Sequence, residues 1–280
     1  MIQTICICGA GAMGSGIAQC AAQHGFHIYL FDLQPAMLEK ATTSMSANLQ
    51  LLVQKNKLTE KEKADILGRI QPVTDINNCL ADMVIEAIVE KPEVKAGLFN
   101  QLAEVNHSEV VFATNTSSLS VSDIAKQVVH PERIAGMHFF NPATVMKLVE
   151  VVTTPFSNAQ TIDTIAQVAR QMGKTPVLCK DAPGFIVNHV ARPYYLEALQ
   201  LVERGIADLS TIDNLLEASG FKMGPFRLMD LIGNDINYAV SGQIFEALGR
   251  PERLKPSALQ KEKVEKGELG RKTGKGYYQY

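Results

Sequence analysis

A histidine and a glutamate twelve residues apart could form an acid–base pair. His138 ends the apolar segment 134–138, and Glu150 lies inside the apolar run 146–152. Burying a carboxylate in such a run is costly unless it has a partner. A neutral histidine can take a hydroxyl proton while a hydride leaves, and a carboxylate on its other ring nitrogen would stabilise the imidazolium that forms. We therefore expect the pair to serve alcohol oxidation; a structural histidine and a solvent-facing glutamate are the alternative.

A glycine-rich turn joins an apolar, β-prone segment (3–8) to a helical pattern. Gly9, Gly11 and Gly14 form G-x-G-x-x-G at this junction. The first glycine permits a tight turn, the second lets the backbone approach a pyrophosphate, and the third lets helix and strand pack closely. The phosphates would meet the free N–H groups at the start of the helix. The predicted dinucleotide contacts in this turn are Gly9, Ala10, Gly11, Ala12, Met13 and Gly14.

An acidic residue follows the next apolar segment, 28–31. Asp32 lies close to the roughly 20-residue offset at which dinucleotide-binding folds place the ribose ligand. Its carboxylate can accept hydrogen bonds from both ribose hydroxyls but would repel a 2′-phosphate, and neither Leu33 nor Gln34 supplies an arginine to offset that repulsion. The predicted cofactor is NAD rather than NADP. The alternative is a plain glycine turn followed by a solvated aspartate.

The elements that must position these residues alternate between strand-like and helical segments. The strand-like segments are 3–8, 28–31, 83–87, 110–114, 134–138, 148–152 and 176–179. This alternation predicts an α/β fold with a Rossmann-type doubly wound sheet, parallel at least in its first part. Residues 37–63 are predicted to form one long helix with a solvated face.

The character of the sequence changes after DAPG at 181–184. Helical patterns then cover 190–203, 211–218, 235–248 and 257–266, without a convincing strand. We predict an NAD-binding domain over residues 1–182, followed by a smaller all-helical domain over 183–280 that serves substrate binding and dimerisation.

The overall composition is that of a globular protein. Of the 280 residues 46% are hydrophobic and 20% charged, and the formal net charge is −2, so nothing favours nucleic acid or an anionic membrane as a partner. The five cysteines form no C-x-x-C and no cluster with histidine, which predicts reduced core residues and no metal site. The sequence carries no secretory signal and no apolar run of about 20 residues, so we expect a cytoplasmic protein.

Six motifs carry a resemblance to a known family over nearly the whole chain. They are GAGAMGSGIA from residue 9, VIEAIVEK at 84–91, NTSSLS at 115–120, GMHFFNPATVMKLVEVV at 136–152, DAPGFIVN at 181–188 and GRKTGKGYY at 270–278. In this order and spacing the sequence resembles the L-3-hydroxyacyl-CoA dehydrogenase family, most of all its short bacterial 3-hydroxybutyryl-CoA members. The resemblance implies NAD-dependent hydride transfer at C3 of a short-chain (S)-3-hydroxyacyl-CoA.

The resemblance also implies roles for individual residues. In the family the histidine of HFFNP is the general base and a glutamate twelve residues later orients it, which here are His138 and Glu150. Ser117 and Asn188 would hold the C3 oxygen and the thioester end of the substrate. Further cofactor contacts would be Glu90, Lys95, Asn141 and Lys272. On the coenzyme A side Lys55 fits the family, whereas Asn48 stands where other members can carry serine.

For two of these lysines an interpretation without a binding role remains open. Lys272 could belong to a basic C-terminal turn, and Lys55 could be a solvated charge near a helix end.

Two other functions also stay open. One is an NAD-dependent dehydrogenase of a 3-hydroxy acid or sugar acid without coenzyme A. The other is a non-catalytic NAD(H) sensor, although such a sensor needs none of the four predicted catalytic residues. Apolar faces at 190–201 and 236–248, together with the family resemblance, predict a homodimer.

Overall fold

A computed structural model describes residues 2–280, which divide into two compact units, 2–181 and 182–280. The first unit is built on one sheet of eight strands in the order β3-β2-β1-β4-β5-β6-β7-β8. Only β6 and β7 pair antiparallel; all other neighbours are parallel. The predicted Rossmann-type fold is confirmed. The strands are β1 (Thr4–Cys8), β2 (His27–Phe31), β3 (Ile70–Val73), β4 (Met83–Glu86), β5 (Val111–Thr114), β6 (Ile134–Phe139), β7 (Leu148–Thr153) and β8 (Thr175–Lys180).

Helices cover both faces of this sheet. Because successive side chains of a strand point to opposite faces, β1 divides its residues between two apolar layers. Ile5 and Ile7 pack into one layer and Cys6 and Cys8 into the other, which explains why a buried parallel strand is apolar throughout. The helices of this unit are α1 (Ala12–Gln23), α2 (Pro35–Gln54), α3 (Glu60–Gly68), α4 (Pro92–Val105), α5 (Val121–Ala125) and α6 (Ala159–Gln171).

The order of the strands indicates where on the sheet a ligand would bind. The sheet runs outward from β1 in both directions, so the loops after β1 and β4 diverge at the carboxyl edge, where open α/β sheets bind ligands. The strands β2, β5 and β6 also end at this edge, so the loops that follow them begin there. Since β7 runs the other way, its first residues lie there too.

One expectation about this unit is wrong, and one strand was not predicted. The predicted long helix over 37–63 is two helices, because Asn56 takes a left-handed conformation (φ 54°) after α2, and Thr59 with Glu62 then forms a capping box that starts α3. β3 was not predicted, since its sequence IQPV is short and contains a proline, which only an edge strand tolerates.

The second unit is helical, as predicted. Its core comprises residues such as Leu196, Leu199, Phe226 and Met229. The buried Asp230 carboxylate accepts hydrogen bonds from the backbone N–H groups of Tyr277 and Tyr278 and so ties the C-terminal segment to the helices. The helices are α7 (Val187–Glu203), α8 (Leu209–Ala218), α9 (Pro225–Ile232), which was not predicted, α10 (Asn234–Ala247) and α11 (Ala258–Glu265).

Four of the five cysteines are buried and none forms a disulfide within residues 2–280. Over the same residues, no helix combines the length and the apolar character that a membrane crossing requires.

Candidate active site

The glycine turn between β1 and α1 has the geometry that the motif predicts. Gly9 has a φ of 100°, and a Cβ there would lie 2.5 Å from the Ala87 carbonyl oxygen; a Cβ on Gly14 would lie 1.8 Å from the Gly9 carbonyl oxygen. Around Gly11, by contrast, a Cβ would meet nothing within 4 Å. Gly11 is the N-cap of α1, and no N-cap side chain accepts a hydrogen bond from the first N–H groups of the helix. The first and third glycines are therefore sterically required, and the second leaves room for a phosphate.

Asp32 lies directly beside this turn. Its carboxylate accepts hydrogen bonds from the Ala10 N–H (2.8 Å) and the Gln34 N–H (2.9 Å), one on each oxygen. These bonds fix the carboxylate, which lines a pocket of about 790 Å³. Leu33, Val89 and Val94 line the same pocket and are 79%, 60% and 41% exposed, which is unusual for aliphatic side chains. An apolar slot next to a fixed carboxylate fits the adenine and ribose of a dinucleotide.

A buried ion pair lies at the end of β4. Glu86 and Lys95 are 0% and 1% exposed, and their charged groups are 2.5 Å apart. Glu86 also accepts hydrogen bonds from the Thr114 hydroxyl and the Ile88 N–H, both at 2.7 Å. Burial raises the pKa of Glu86, and the ammonium of Lys95 with these hydrogen bonds opposes the rise. The pair thus joins the loop after β4 to α4 and to the end of β5.

Lys95 also connects this pair to Glu90. The Lys95 Nζ lies 3.3 Å from a Glu90 carboxylate oxygen, and Glu90 is partly exposed. Both residues were predicted as cofactor contacts; Glu86 was not. The signal was present, because Glu86 is a charge inside an apolar strand, as Glu150 is.

His138 and Glu150 face each other across the only antiparallel pair of the sheet. They are directly opposite in the register of β6 and β7, which explains their separation of twelve residues. Their Nδ1 and Oε2 atoms are 2.7 Å apart, and the side chains are 5% and 1% exposed. The ring of Phe140 packs against the histidine with 4.5 Å between centroids. A buried carboxylate at this distance fixes the orientation of the imidazole ring.

The loops beside this pair are fixed by hydrogen bonds. Lys174 is buried and its Nζ donates to the carbonyl oxygens of Ala143 (2.5 Å) and Met146 (2.9 Å), in the loop that also carries the exposed Asn141. The Asn115 side chain accepts from the Phe139 N–H at 2.9 Å. Lys174 was not predicted, since an isolated lysine before a strand carries no recognisable pattern.

Ser117 lies in a compact turn after β5. The Thr116 hydroxyl accepts hydrogen bonds from the Ser118 and Leu119 N–H groups, at 3.3 and 3.0 Å. A little further along, the Asp181 carboxylate accepts from the Ser120 hydroxyl and the Ser122 N–H, both at 2.8 Å. Two residues with no predicted role, Thr116 and Asp181, thus hold the loop of Ser117 in place.

Four further predicted site residues lie at α2 and in the second unit. Asn48 is exposed on α2, and Lys55 is exposed at its C-cap, seven residues and about two helical turns further on. In the second unit, Asn188 lies in the first turn of α7. Lys272 forms an ion pair with Asp235, at 2.7 Å from both carboxylate oxygens.

Comparison with protein families agrees with this geometry over both units. Residues 4–182 match the model of the 3-hydroxyacyl-CoA dehydrogenase NAD binding domain, and residues 184–280 match the model of the C-terminal domain of the same family. The chain belongs to the 3-hydroxyacyl-CoA dehydrogenase family. The predicted family and the predicted cofactor, NAD, are confirmed at this level.

Similar proteins extend the comparison. The chain is 46% identical over its full length to 3-hydroxyadipyl-CoA dehydrogenase of Escherichia coli K12, and it spans 59% of the length of that relative. It is 38% identical to a probable 3-hydroxybutyryl-CoA dehydrogenase of Deinococcus radiodurans, with 98% of this chain and 99% of the other covered. The solved structure of (S)-3-hydroxybutyryl-CoA dehydrogenase from Ralstonia eutropha has a TM-score of 0.94 at 35% identity, covering 100% of this chain and 99% of that one.

Proposed function

We propose that the chain transfers a hydride reversibly between NAD(H) and C3 of a short-chain (S)-3-hydroxyacyl-CoA, such as the 3-hydroxybutyryl-CoA and acetoacetyl-CoA pair. The observation that carries this proposal is the buried 2.7 Å contact between His138 and Glu150. The similar proteins include a 3-hydroxyadipyl-CoA dehydrogenase and a probable 3-hydroxybutyryl-CoA dehydrogenase, which supports the same class of substrate.

In this mechanism His138 moves the proton of the reacting oxygen. Because Nδ1 faces Glu150, Nε2 is the ring nitrogen that accepts the C3 hydroxyl proton in oxidation and returns it in reduction. Glu150 stabilises the imidazolium without itself accepting the proton. Bound NAD supplies the hydride acceptor at C4 of its nicotinamide ring.

Substrate positioning falls to Ser117 and Asn188. We assign Ser117 to the C3 oxygen and Asn188 to the region of the C3 oxygen and thioester. The turn of Thr116 and the hydrogen bonds of Asp181 support the first role, because they fix the loop that carries Ser117. On the coenzyme A side, the exposed Asn48 and Lys55 are the proposed contacts.

Cofactor binding combines the glycine turn, Asp32 and four further residues. The open space at Gly11 would receive the pyrophosphate and Asp32 the ribose hydroxyls. The further proposed contacts are Glu90, Lys95, Asn141 and Lys272. Residues 1–182 would thus act as the NAD-binding domain.

Residues 183–280 would provide the substrate and dimerisation domain. Val190 on α7 and Ile236 on α10 are 69% and 49% exposed, which supports a homodimer through these apolar faces. Light scattering at micromolar concentration should report twice the chain mass, and a monomer would contradict this part of the proposal. The cytoplasmic location stays a prediction.

The decisive experiment compares substrates with and without coenzyme A. Acetoacetyl-CoA and free acetoacetate are each incubated with NADH, and its oxidation is followed by absorbance. We expect turnover only with the thioester. Turnover of free acetoacetate with a comparable kcat/KM would favour the dehydrogenase without coenzyme A. Tight NADH binding without turnover of either would favour the sensor.

A further inference from the structure

The two oxygens of the Glu86 carboxylate have different partners. Oε1 accepts hydrogen bonds from the Lys95 ammonium (2.5 Å) and the Ile88 N–H (2.7 Å). Oε2 accepts from the Thr114 hydroxyl (2.7 Å). Glu86 and Thr114 are directly paired in the parallel register of β4 and β5, so their side chains leave the sheet on the same face. One oxygen therefore binds the predicted cofactor residue Lys95, and the other binds the end of β5.

The Thr114 hydroxyl connects this carboxylate to the turn after β5. Because a carboxylate oxygen only accepts, the hydroxyl proton of Thr114 points to Glu86, and the hydroxyl lone pairs stay available for another donor. The Thr116 N–H is that donor, with 3.3 Å between its nitrogen and the Thr114 Oγ1. The Thr116 hydroxyl in turn accepts from two backbone N–H groups beyond Ser117. Hydrogen bonds thus lead from Glu86 to the residues on both sides of Ser117.

The side chains on this path are shielded from solvent. The exposed fractions of Glu86, Thr114 and Thr116 are 0%, 0% and 1%. Inside a protein a hydrogen bond is stronger than in water, and a buried donor or acceptor that loses its partner costs free energy. Removing the Thr114 hydroxyl would therefore loosen the turn at Thr116, because water cannot take its place.

We propose that Glu86 is a positioning residue for the substrate as well as for the cofactor. Oε1 fixes Lys95, and Oε2 fixes, through Thr114, the turn that carries Ser117. This inference rests on the proposed function, which assigns Ser117 to the C3 oxygen and Lys95 to the cofactor. A misplacement of about 1 Å at a reacting centre can lower the rate about 100-fold, so the Oε2 contact should matter for the chemical step.

The test separates the two oxygens by changing Thr114. Thr114→Val keeps the shape of the side chain and removes the hydroxyl, while Oε1 of Glu86 keeps both of its donors. We expect the kcat for reduction of acetoacetyl-CoA to fall about 10- to 100-fold, with a dissociation constant for NADH within about twofold of the wild type. Thr114→Ser loses a methyl group and keeps the hydroxyl, so its kcat should stay within about threefold of the wild type.

Two further valine variants complete the test. Thr161 on α6 is 2% exposed, and its hydroxyl donates to the Glu132 carbonyl oxygen at 3.0 Å. Thr161→Val is the matched control, because it removes an equally buried hydroxyl outside the path, and it should keep the wild-type kcat and NADH affinity. Thr116→Val breaks the last step of the path and should repeat the pattern of Thr114→Val. It keeps the inference testable even if Thr114→Val does not fold.

The outcomes separate this inference from the function on which it rests. A near wild-type kcat in a folded valine variant of Thr114 or Thr116 would overturn the inference and leave the dehydrogenase intact. A kcat of Thr114→Ser as low as that of Thr114→Val would also overturn it, because packing rather than the hydroxyl would then matter. An equal loss of kcat and NADH affinity in Thr114→Val would show that the hydroxyl only stabilises the whole edge. Absence of turnover of acetoacetyl-CoA by the wild type would instead contradict the proposed function.

Discussion

Replacing Lys95 by methionine tests whether the ion pair at the end of β4 holds the cofactor-binding edge together. Lys95→Met keeps an unbranched side chain, one atom shorter, and removes its charge. Both partners are almost completely buried and 2.5 Å apart, so solvent screens the pair very little. Breaking such a pair by removing one partner costs about 3–5 kcal/mol. This is a large part of the roughly 5–15 kcal/mol by which a typical protein is stable.

The loss should depend on pH, with a sign that the structure fixes. Burial already raises the pKa of Glu86, and Lys95 is the largest influence that lowers it. Without Lys95 the pKa rises further, so the folded state binds a proton that the unfolded state releases above its own pKa of about 4.3. The free energy of unfolding therefore falls as the pH rises from the pKa of Glu86 in the unfolded state to its pKa in the folded state, by up to about 1.4 kcal/mol per pH unit. The deficit of Lys95→Met should therefore grow between pH 5 and pH 8.

Urea denaturation at several pH values and constant ionic strength measures this effect. The double variant Glu86→Gln/Lys95→Met is the matched control, because it removes the titrating group and should abolish the extra pH dependence. A loss below about 1 kcal/mol, or a loss of equal size at pH 5 and pH 8, would refute the reasoning. The first result would mean that water reaches the pair, and the second that Glu86 does not take up the proton.

Four further variants test the neighbouring parts of the site. Glu150→Gln should reduce kcat less than loss of His138 does, because it weakens the positioning of the imidazole without deleting the base; a kcat as low as that of His138→Gln would contradict this division of roles. Asp32→Asn retains an acceptor for the Ala10 N–H but removes the charge, so the preference for NADH over NADPH should fall at least about tenfold; an unchanged preference would remove Asp32 from the ribose site. Gly14→Ala would place a Cβ 1.8 Å from the Gly9 oxygen and should lower the free energy of unfolding in urea by at least about 2 kcal/mol. Gly11→Ala, with nothing within 4 Å, should weaken NADH binding at an unchanged free energy of unfolding; equal stabilities for both variants would contradict the steric argument.

Local patterns were sufficient to predict most of the sheet. Gly9, Asp32 and Ser117 each follow a strand that is apolar on both faces, because helices cover both sides of the sheet. Such a strand is a continuous apolar run in the sequence. His138 and Glu150 could be paired because their strands lie side by side. The antiparallel register that sets them opposite each other follows from the tertiary structure, and no local property of residues 134–152 specifies it.

The features that the sequence did not predict depend on contacts between distant residues or on single backbone conformations. β3 exists because β2 offers it an edge, although IQPV has little tendency to form a strand. The break between α2 and α3 depends on one residue, Asn56, inside an otherwise helical pattern. Lys174 and Arg192 have ordinary sequence neighbours, and only the fold shows that their charges are buried.

The most direct test of the acid–base pair is the kcat of His138→Gln for reduction of acetoacetyl-CoA, measured beside its dissociation constant for NADH. We predict a kcat lowered by about 10²- to 10⁴-fold, the usual contribution of a general acid–base group, with NADH affinity within about twofold of the wild type. Near-full turnover in this variant would contradict the account, because the buried contact with Glu150 would then serve structure alone.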